Sequence, residues 1–441
     1  MKITNTRTSG RRRPFFLAVL GALVSAIALL LTSCAGSGGP DKAEATGTGE
    51  VSKDTSGNVR ILMENVPDTD IVKSMVADFN KDYPNVKVDI ESLTYDQMRD
   101  KLVSSFQSSS PNYDLIVVDN PWMVDFANAK FLQPLDTRID STPDYDAADF
   151  FKPLTDITTV DGVRYGVPFY NYALGYIYNT DDLAQAKQTV PTTLDELVST
   201  SAALKSGDRA GIAMQPQRGY KIFEEWGNWL FAAGGSIYGP DGKPTLNTPE
   251  AKRALQAYID TYRNAAPPNS LNWSMDEAQR SLAAGQSASM INYNWQLPAV
   301  NEPGSGPAAG KFKLAPIPGG KQVLGSWSWA IPANSGASDA AWAFASWITA
   351  KPHDVTRTEK GGAAIRQSTL KDPAVLGGPL GADYYQTVEK LLANSAPLSQ
   401  GPSGEEMIQA VGTELNEAVA GTKSVDDALA AAQAAAEKIQ G

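Results

Sequence analysis

The groups in this 441-residue chain whose types and spacing could do chemistry are carboxylates, amides and aromatic rings placed just beyond apolar runs. Leu115-Ile116-Val117-Val118 is a continuous apolar run, as expected of a strand covered on both faces. Asp119-Asn120-Pro121-Trp122 follows it directly. Val59-Arg60-Ile61-Leu62-Met63 reads as another short strand, with Glu64-Asn65 beyond its end. In open parallel sheets, ligands gather outside the carboxyl ends of the strands. Glu64, Asp119, Asn120 and Trp122 would therefore meet at one rim. Carboxylates and amides suit hydroxyl groups, and flat aromatics suit the apolar face of a small ligand. Each residue also has a plainer reading. Asp119 is well placed to cap a helix beginning at Pro121, Trp122 could be packing, and Glu64 could be a solvated loop carboxylate. Trp226 and Trp229 lie three apart on an expected helix, a spacing that fits a core face as well as a binding platform.

Other chemistry is poorly supplied. The chain has one cysteine, Cys34, and one histidine, His353. It therefore offers no thiol-based or His-rich metal site and no disulfide, and no cofactor motif is read. The formal net charge is -11, which argues against nucleic acid as a partner. Residues 1–33 read as an export signal, with Arg11-Arg12-Arg13 before the apolar stretch from Phe15 to Leu31 and then Leu31-Thr32-Ser33-Cys34. The alternative is a plain transmembrane anchor, because so short an apolar stretch is borderline for a span. The arginines before Pro14-Phe15-Phe16 fit a basic Sec-type leader and also a twin-arginine signal. Removing the leader takes away five cations and no acid, leaving -16. Residues 34–58, rich in Gly, Ser and Thr, read as a flexible tether.

The elements that must hold these groups begin with alternation of strand and helix. Ile71, Val72, Met75, Val76 and Phe79 fall on one helical face, Val86, Val88 and Ile90 alternate as in a strand, and Met98, Leu102, Val103 and Phe106 mark a second helix. With the run at 115–118 this is βαβαβ, hence a parallel sheet with helical crossovers. Further on, the aromatic stretch Gly162 to Tyr172 precedes a strand from Leu174 to Asn179. Thr193 and Glu196, and Ser424 and Asp427, have capping spacing at the starts of helices. At this length the chain is expected to form two lobes.

Several segments, in this order, resemble the family 1 extracellular solute-binding proteins of ABC importers. They are the Cys34 lipobox, 113–119, 131–136, 161–179, 283–290, 325–332 and 365–367. The resemblance implies an α/β fold, a two-lobe clamshell like the periplasmic binding proteins, with a hinge crossed several times. It places the crossings near Val167-Pro168, Pro316-Pro318 and Pro352, giving 59–167 plus 318–351 as one lobe and 168–317 plus 352–441 as the other. It implies a small-molecule carbohydrate as ligand, an ABC permease as partner, and a monomer anchored by lipid on Cys34 to the outer face of the cytoplasmic membrane. It also implies cleft roles for Tyr170, Asn171 and Tyr172, for Asn294 and Trp295, for Gly325, Ser326 and Trp327, and for Arg366, with Trp226 as a further candidate. Two other readings compete: a glycoside hydrolase built on a carboxylate pair such as Glu64 and Asp119, and a receptor for a non-sugar solute such as a peptide or iron, for which Tyr384-Tyr385 would be the candidate ligands.

If Cys34 carries the lipid, Cys34→Ser releases the protein from the membrane fraction or leaves it unprocessed, because two or more acyl chains are what makes attachment stable. Fractionation followed by immunoblotting reads this, and a cleaved, membrane-retained Cys34→Ser product would refute it.

Overall fold

The computed structural model describes residues 47–108 and 112–440. The leader and Cys34 lie outside the described residues. Among those described, no helix is long and apolar enough to cross a membrane.

The first strand, β1 (Gly57–Glu64), leads through α1 (Pro67–Asp82) to β2 (Val86–Leu93), and α2 (Tyr95–Phe106) leads to β3 (Leu115–Asp119) and α3 (Asn120–Asn128). β1 pairs in parallel with both β2 and β3, as the βαβαβ pattern requires. Every residue of β3 is buried, which is why its sequence shows no alternation.

Within the 162–179 stretch, Val163–Arg164 pairs with Thr159–Val160 in a small hairpin of its own, and one long strand, β4 (Val167–Asn179), follows. After α4 (Tyr220–Ala232) and α5 (Pro249–Ala265) come β5 (Ser289–Tyr293), β6 (Phe312–Ala315) and β7 (Gln322–Ala330). The helices α6 (Ser338–Thr349) and α7 (Lys351–Glu359), the short strand β8 (Ser395–Pro397), and the helices α8 (Gly404–Val419) and α9 (Val425–Gln440) complete the elements that position the site. The sheet runs β2-β1-β3-β7-β4-β5, with β8 beside β7 and β6 beside β4. Both expected capping pairs form: Thr193 with Glu196 as a full box, and Ser424 accepting from the Asp427 N–H at 3.1 Å.

The apolar interior divides along this sheet. One core gathers β1–β3, α6 and the start of β4; another gathers α4, α5, α8 and α9. The fold is the expected α/β two-lobe clamshell. Packing partners are exchanged within two strands. Tyr172 packs in the first core and Leu174 in the second; Trp327 packs in the first and Val323 in the second. Packing thus passes from one core to the other within β4 and β7. Two paired strands can make that crossing without leaving any backbone N–H or C=O unpaired. Just beyond Pro352, Arg357 is fully buried between Asp68 at 2.9 Å and Asp354 at 2.6 Å. The tether is shorter than expected. Arg138 donates to the Thr48 carbonyl at 3.1 Å and the Gly49 N–H to Ser141 Oγ at 2.7 Å, so these residues are fastened to the first lobe.

Glu225, on α4, is fully buried, and among the described residues no cation forms an ion pair with it. Its Oε2 accepts from Tyr258 Oη at 2.5 Å and from the Gln215 N–H at 2.6 Å. Burial pushes its carboxyl from 4.5 up to about 8, against the pull of those two donors. A folded-state value above the unfolded one means stability that is complete below 4.5 and lost as pH rises towards about 8. The maximal slope is about 1.4 kcal/mol per pH unit. Glu225→Gln, which copies the neutral acid, should flatten this stretch of the stability–pH profile in urea titrations; a profile unchanged by the substitution would refute the assignment.

Candidate functional site

Where β3, β7 and β4 lie side by side, their register sets three large groups in a row. Asp119 stands opposite Trp327, and Trp327 opposite Tyr170. Tyr172 is opposite Gly325 in the same ladder. Side chains alternate along a strand, so Tyr170 and Tyr172 share a face with Gly325 and Trp327. That face forms one side of an internal cavity of about 410 Å³, within the range of small-molecule pockets. Glu64, at the end of β1, and Trp295, just after β5, also line it. Gly325 is needed there, because a Cβ would come within 2.6 Å of the Tyr293 hydroxyl.

The facing side comes from the second lobe. Tyr220, Lys221 and Glu224 enter from the first turns of α4, Tyr293 from β5, and Glu405 from the start of α8. Tyr95, the first residue of α2, closes one end. Its hydroxyl lies 3.0 Å from Asp119 Oδ2 and 2.9 Å from Glu405 Oε2, joining the two sides. Tyr170 donates to Glu64 at 2.6 Å, Tyr293 donates to Glu224, and Tyr172 donates to the buried Asp68 behind the wall. Lys221 Nζ pairs with Glu224 at 3.0 Å. Asp119 caps α3 by accepting from the Asn120 N–H at 2.9 Å, so its helix-capping position and its place on the cavity wall coexist.

Burial dominates the electrostatics. It raises the Asp119 carboxyl well above the usual carboxylate range, and nearby Glu405 and Glu64 raise it further. Glu64 is raised by burial, against the Tyr170 hydrogen bond and Lys221. Burial likewise holds the hydroxyls of Tyr95, Tyr170, Tyr220 and Tyr293 well above their ordinary range, so they remain donors. Among the described residues no group of His, Cys, Asp and Glu is arranged to hold a metal.

Of the residues singled out from the sequence, Glu64, Asp119, Tyr170, Tyr172, Trp295, Gly325 and Trp327 meet at this cavity. The others lie off it. Asn171 and Ser326 point to the opposite face of their strands, where they hydrogen-bond each other. The Asn120 amide donates to the Ser399 carbonyl at 3.3 Å, and the Asn294 amide to Tyr384 Oη at 3.0 Å. Trp122 is fully buried beneath the wall, 5.4 Å from Trp327 between ring centres. Trp226 is fully buried in the second core, on the side of α4 away from Tyr220 and Glu224. Arg366, expected in the cleft, is 1 % exposed and committed to the carbonyls of Thr349, Asp146 and Tyr145 at 2.7–2.8 Å. Three of its five N–H donors are taken there, and it does not line the cavity. Tyr95, Tyr220, Lys221, Glu224, Tyr293 and Glu405 were not foreseen. Tyr95 carried a usable signal: it follows β2 as Asp119 ends β3.

Residues 65–353 match the profile of the bacterial extracellular solute-binding proteins. The chain belongs to that family. This solute-binding protein is 25% identical over 380 residues to a mannitol-binding protein of Pseudomonas aeruginosa, covering 80% of this chain and 86% of that one. It is 24% identical over 359 residues to a probable amino-acid ABC transporter periplasmic-binding protein of Sinorhizobium fredii, covering 80% and 82%. Among solved structures it resembles an ABC transporter solute-binding protein of Agrobacterium radiobacter in complex with ribitol, at 25% identity and a TM-score of 0.77, covering 87% of this chain and 99% of that one.

The two tryptophans separate fold from site. Trp226→Ala should cost about 3–5 kcal/mol of folding stability, whereas Trp295→Ala, at the cavity edge, should cost about 1 kcal/mol. Chemical denaturation of both variants checks this, and equal losses would place Trp295 in the core.

Proposed function

We propose that this protein captures a carbohydrate, a small sugar or sugar alcohol, between its lobes and delivers it to an ABC permease, without a chemical step of its own. The observation that carries the reading is the lining of the cavity: two tryptophans and five tyrosines interleaved with four carboxylates. Ring faces suit the C–H surfaces of such a solute, and the phenols and carboxylates suit its hydroxyls. The mannitol-binding relative and the ribitol complex support it. Glu64, Asp119, Tyr170, Tyr172, Trp295, Gly325 and Trp327 are the contacts we assign, joined by Tyr95, Tyr220, Lys221, Glu224, Tyr293 and Glu405.

The lobes close by bending at β4 and β7. A solute touching both sides favours the closed state, and its differential affinity for that state supplies the shift. The permease then reads closure. The protein acts as a monomer, held by lipid on Cys34 at the outer face of the cytoplasmic membrane.

A thermal-shift screen against sugars and polyols tests this: a ligand at 100 times its Kd stabilises by about 2.7 kcal/mol. The ligand found should lower the radius of gyration in X-ray scattering, and Trp295→Ala should weaken its binding by about 1.5–3 kcal/mol. A screen with no carbohydrate hit overturns the reading; a hit without contraction overturns closure alone.

A further inference from the structure

The charges around the cavity do not balance. Glu64, Asp119, Glu224 and Glu405 line it against Arg218 and Lys221, four anions to two cations. Both cations are engaged. Arg218 is 55% exposed and pairs with Glu417 at 3.2 Å, away from the wall. Lys221 pairs with Glu224 and influences Glu64 only at longer range. Among the described residues, no cation lies within 4.0 Å of Glu64, Asp119 or Glu405.

Hydrogen-bond counting sharpens the point. The Tyr95 hydroxyl is within reach of both Asp119 and Glu405, yet a phenol has one proton to donate. With both carboxyls ionised, one of those contacts sets oxygen against oxygen with no proton between. The wall must hold an additional proton or take a cation beside it. The burial of Asp119, with Glu405 and Glu64 close by, favours the proton when no cation is bound. The opposite side already accommodates an ammonium: Lys221 Nζ lies 5.4 Å from the Tyr220 ring centre and 5.7 Å from that of Tyr293, at cation–π distance. A separate feature calls for hydroxyls. Trp327, 6% exposed and lining the cavity, makes no hydrogen bond through its indole N–H among the described residues.

We propose that the solute is a polyhydroxylated cation, an amino sugar or amino polyol, whose protonated amine lies against Glu64, Asp119 and Glu405. This rests on the solute-binding reading of the same cavity and narrows its ligand class. On entry the ammonium replaces the proton shared by the carboxyls, and the proton leaves to solvent. The charged and titratable groups facing that wall are Tyr95, Tyr170, Tyr220, Tyr293, Glu224, Lys221 and Arg218. Burial keeps the phenols protonated, so the Asp119 carboxyl, raised by burial beside Tyr95, is the group that releases it.

Calorimetric titration of the purified protein near neutral pH tests this with matched probes: glucosamine and glucose, galactosamine and galactose, mannosamine and mannose, glucamine and sorbitol. We expect at least one amine to bind about ten-fold or more tighter than its neutral twin, equivalent to about 1.4 kcal/mol. Its apparent enthalpy should depend on the buffer, reporting proton release, whereas that of a neutral ligand should not. Glu405→Gln, isosteric and at the cavity edge, should bring the two twins to within about three-fold; Asp119→Asn is the second variant, should the first fail to fold. Neutral members binding as well as or better than the amines would overturn the inference and leave the carbohydrate reading intact. No binding by any member, or by the wider screen, would overturn both. An amine preference that survives both substitutions would remove the amine from this wall.

Discussion

The antiparallel pairing of β4 with β7 is the constraint on which the rest of the molecule depends. These two strands belong to both cores at once, with Tyr172 and Trp327 packed in the first and Leu174 and Val323 in the second. Their ladder keeps the backbone hydrogen bonds continuous where the chain leaves one lobe for the other. The same register sets Tyr170, Tyr172, Gly325 and Trp327 on a single face. Bending at this ladder would change the distance between the two sides of the cavity while leaving its strand-borne floor in place. Connection and recognition are thus carried by one feature.

Around that floor, the stiffness of the first lobe comes from buried ion pairs and aromatic packing. Arg357 sits between Asp68 and Asp354, and Tyr172 reaches Asp68 from the cavity. A change in the tyrosine wall is therefore felt by a buried charge network. Unpaired, such charges would be costly; ion-paired as they are, they fix the orientation of a cavity residue. Trp122 supports Trp327 edge-on in the same way. The residues behind the wall lie off the cavity and yet support its shape.

The second lobe contributes differently. Its groups come from the first turns of α4 and α8, where side chains project from helix ends towards the facing lobe. Lys221, Glu224 and Glu405 bring most of the charge on that side. The contact through Tyr95 between Asp119 and Glu405 is polar and lies at the cavity, so it can be replaced by a solute's own hydrogen bonds. A strand-built floor and a helix-built lid match a protein that must hold a solute and then let it go.

Much of this was readable from local pattern. The βαβαβ start, the capping pairs and the strand-end positions of Glu64 and Asp119 follow from periodicity and from the rule for parallel sheets, which depend on neighbours in sequence. The resemblance in segment order carried the two-lobe fold, and with it Tyr170, Trp295 and Trp327. What the sequence could not decide was facing. Asn171 and Ser326 adjoin cavity residues and still turn away, because alternation in a strand is visible but which phase points inward is set by the partner strands. Trp226 and Tyr220 share a helix, and only the packing of α4 determines which side meets the second core. Arg366 turns to backbone carbonyls brought from 145, 146 and 349, and Tyr95 meets Glu405 across 310 positions. Those encounters have no local signature: they exist only once two lobes, each folded around its own apolar core, are set face to face.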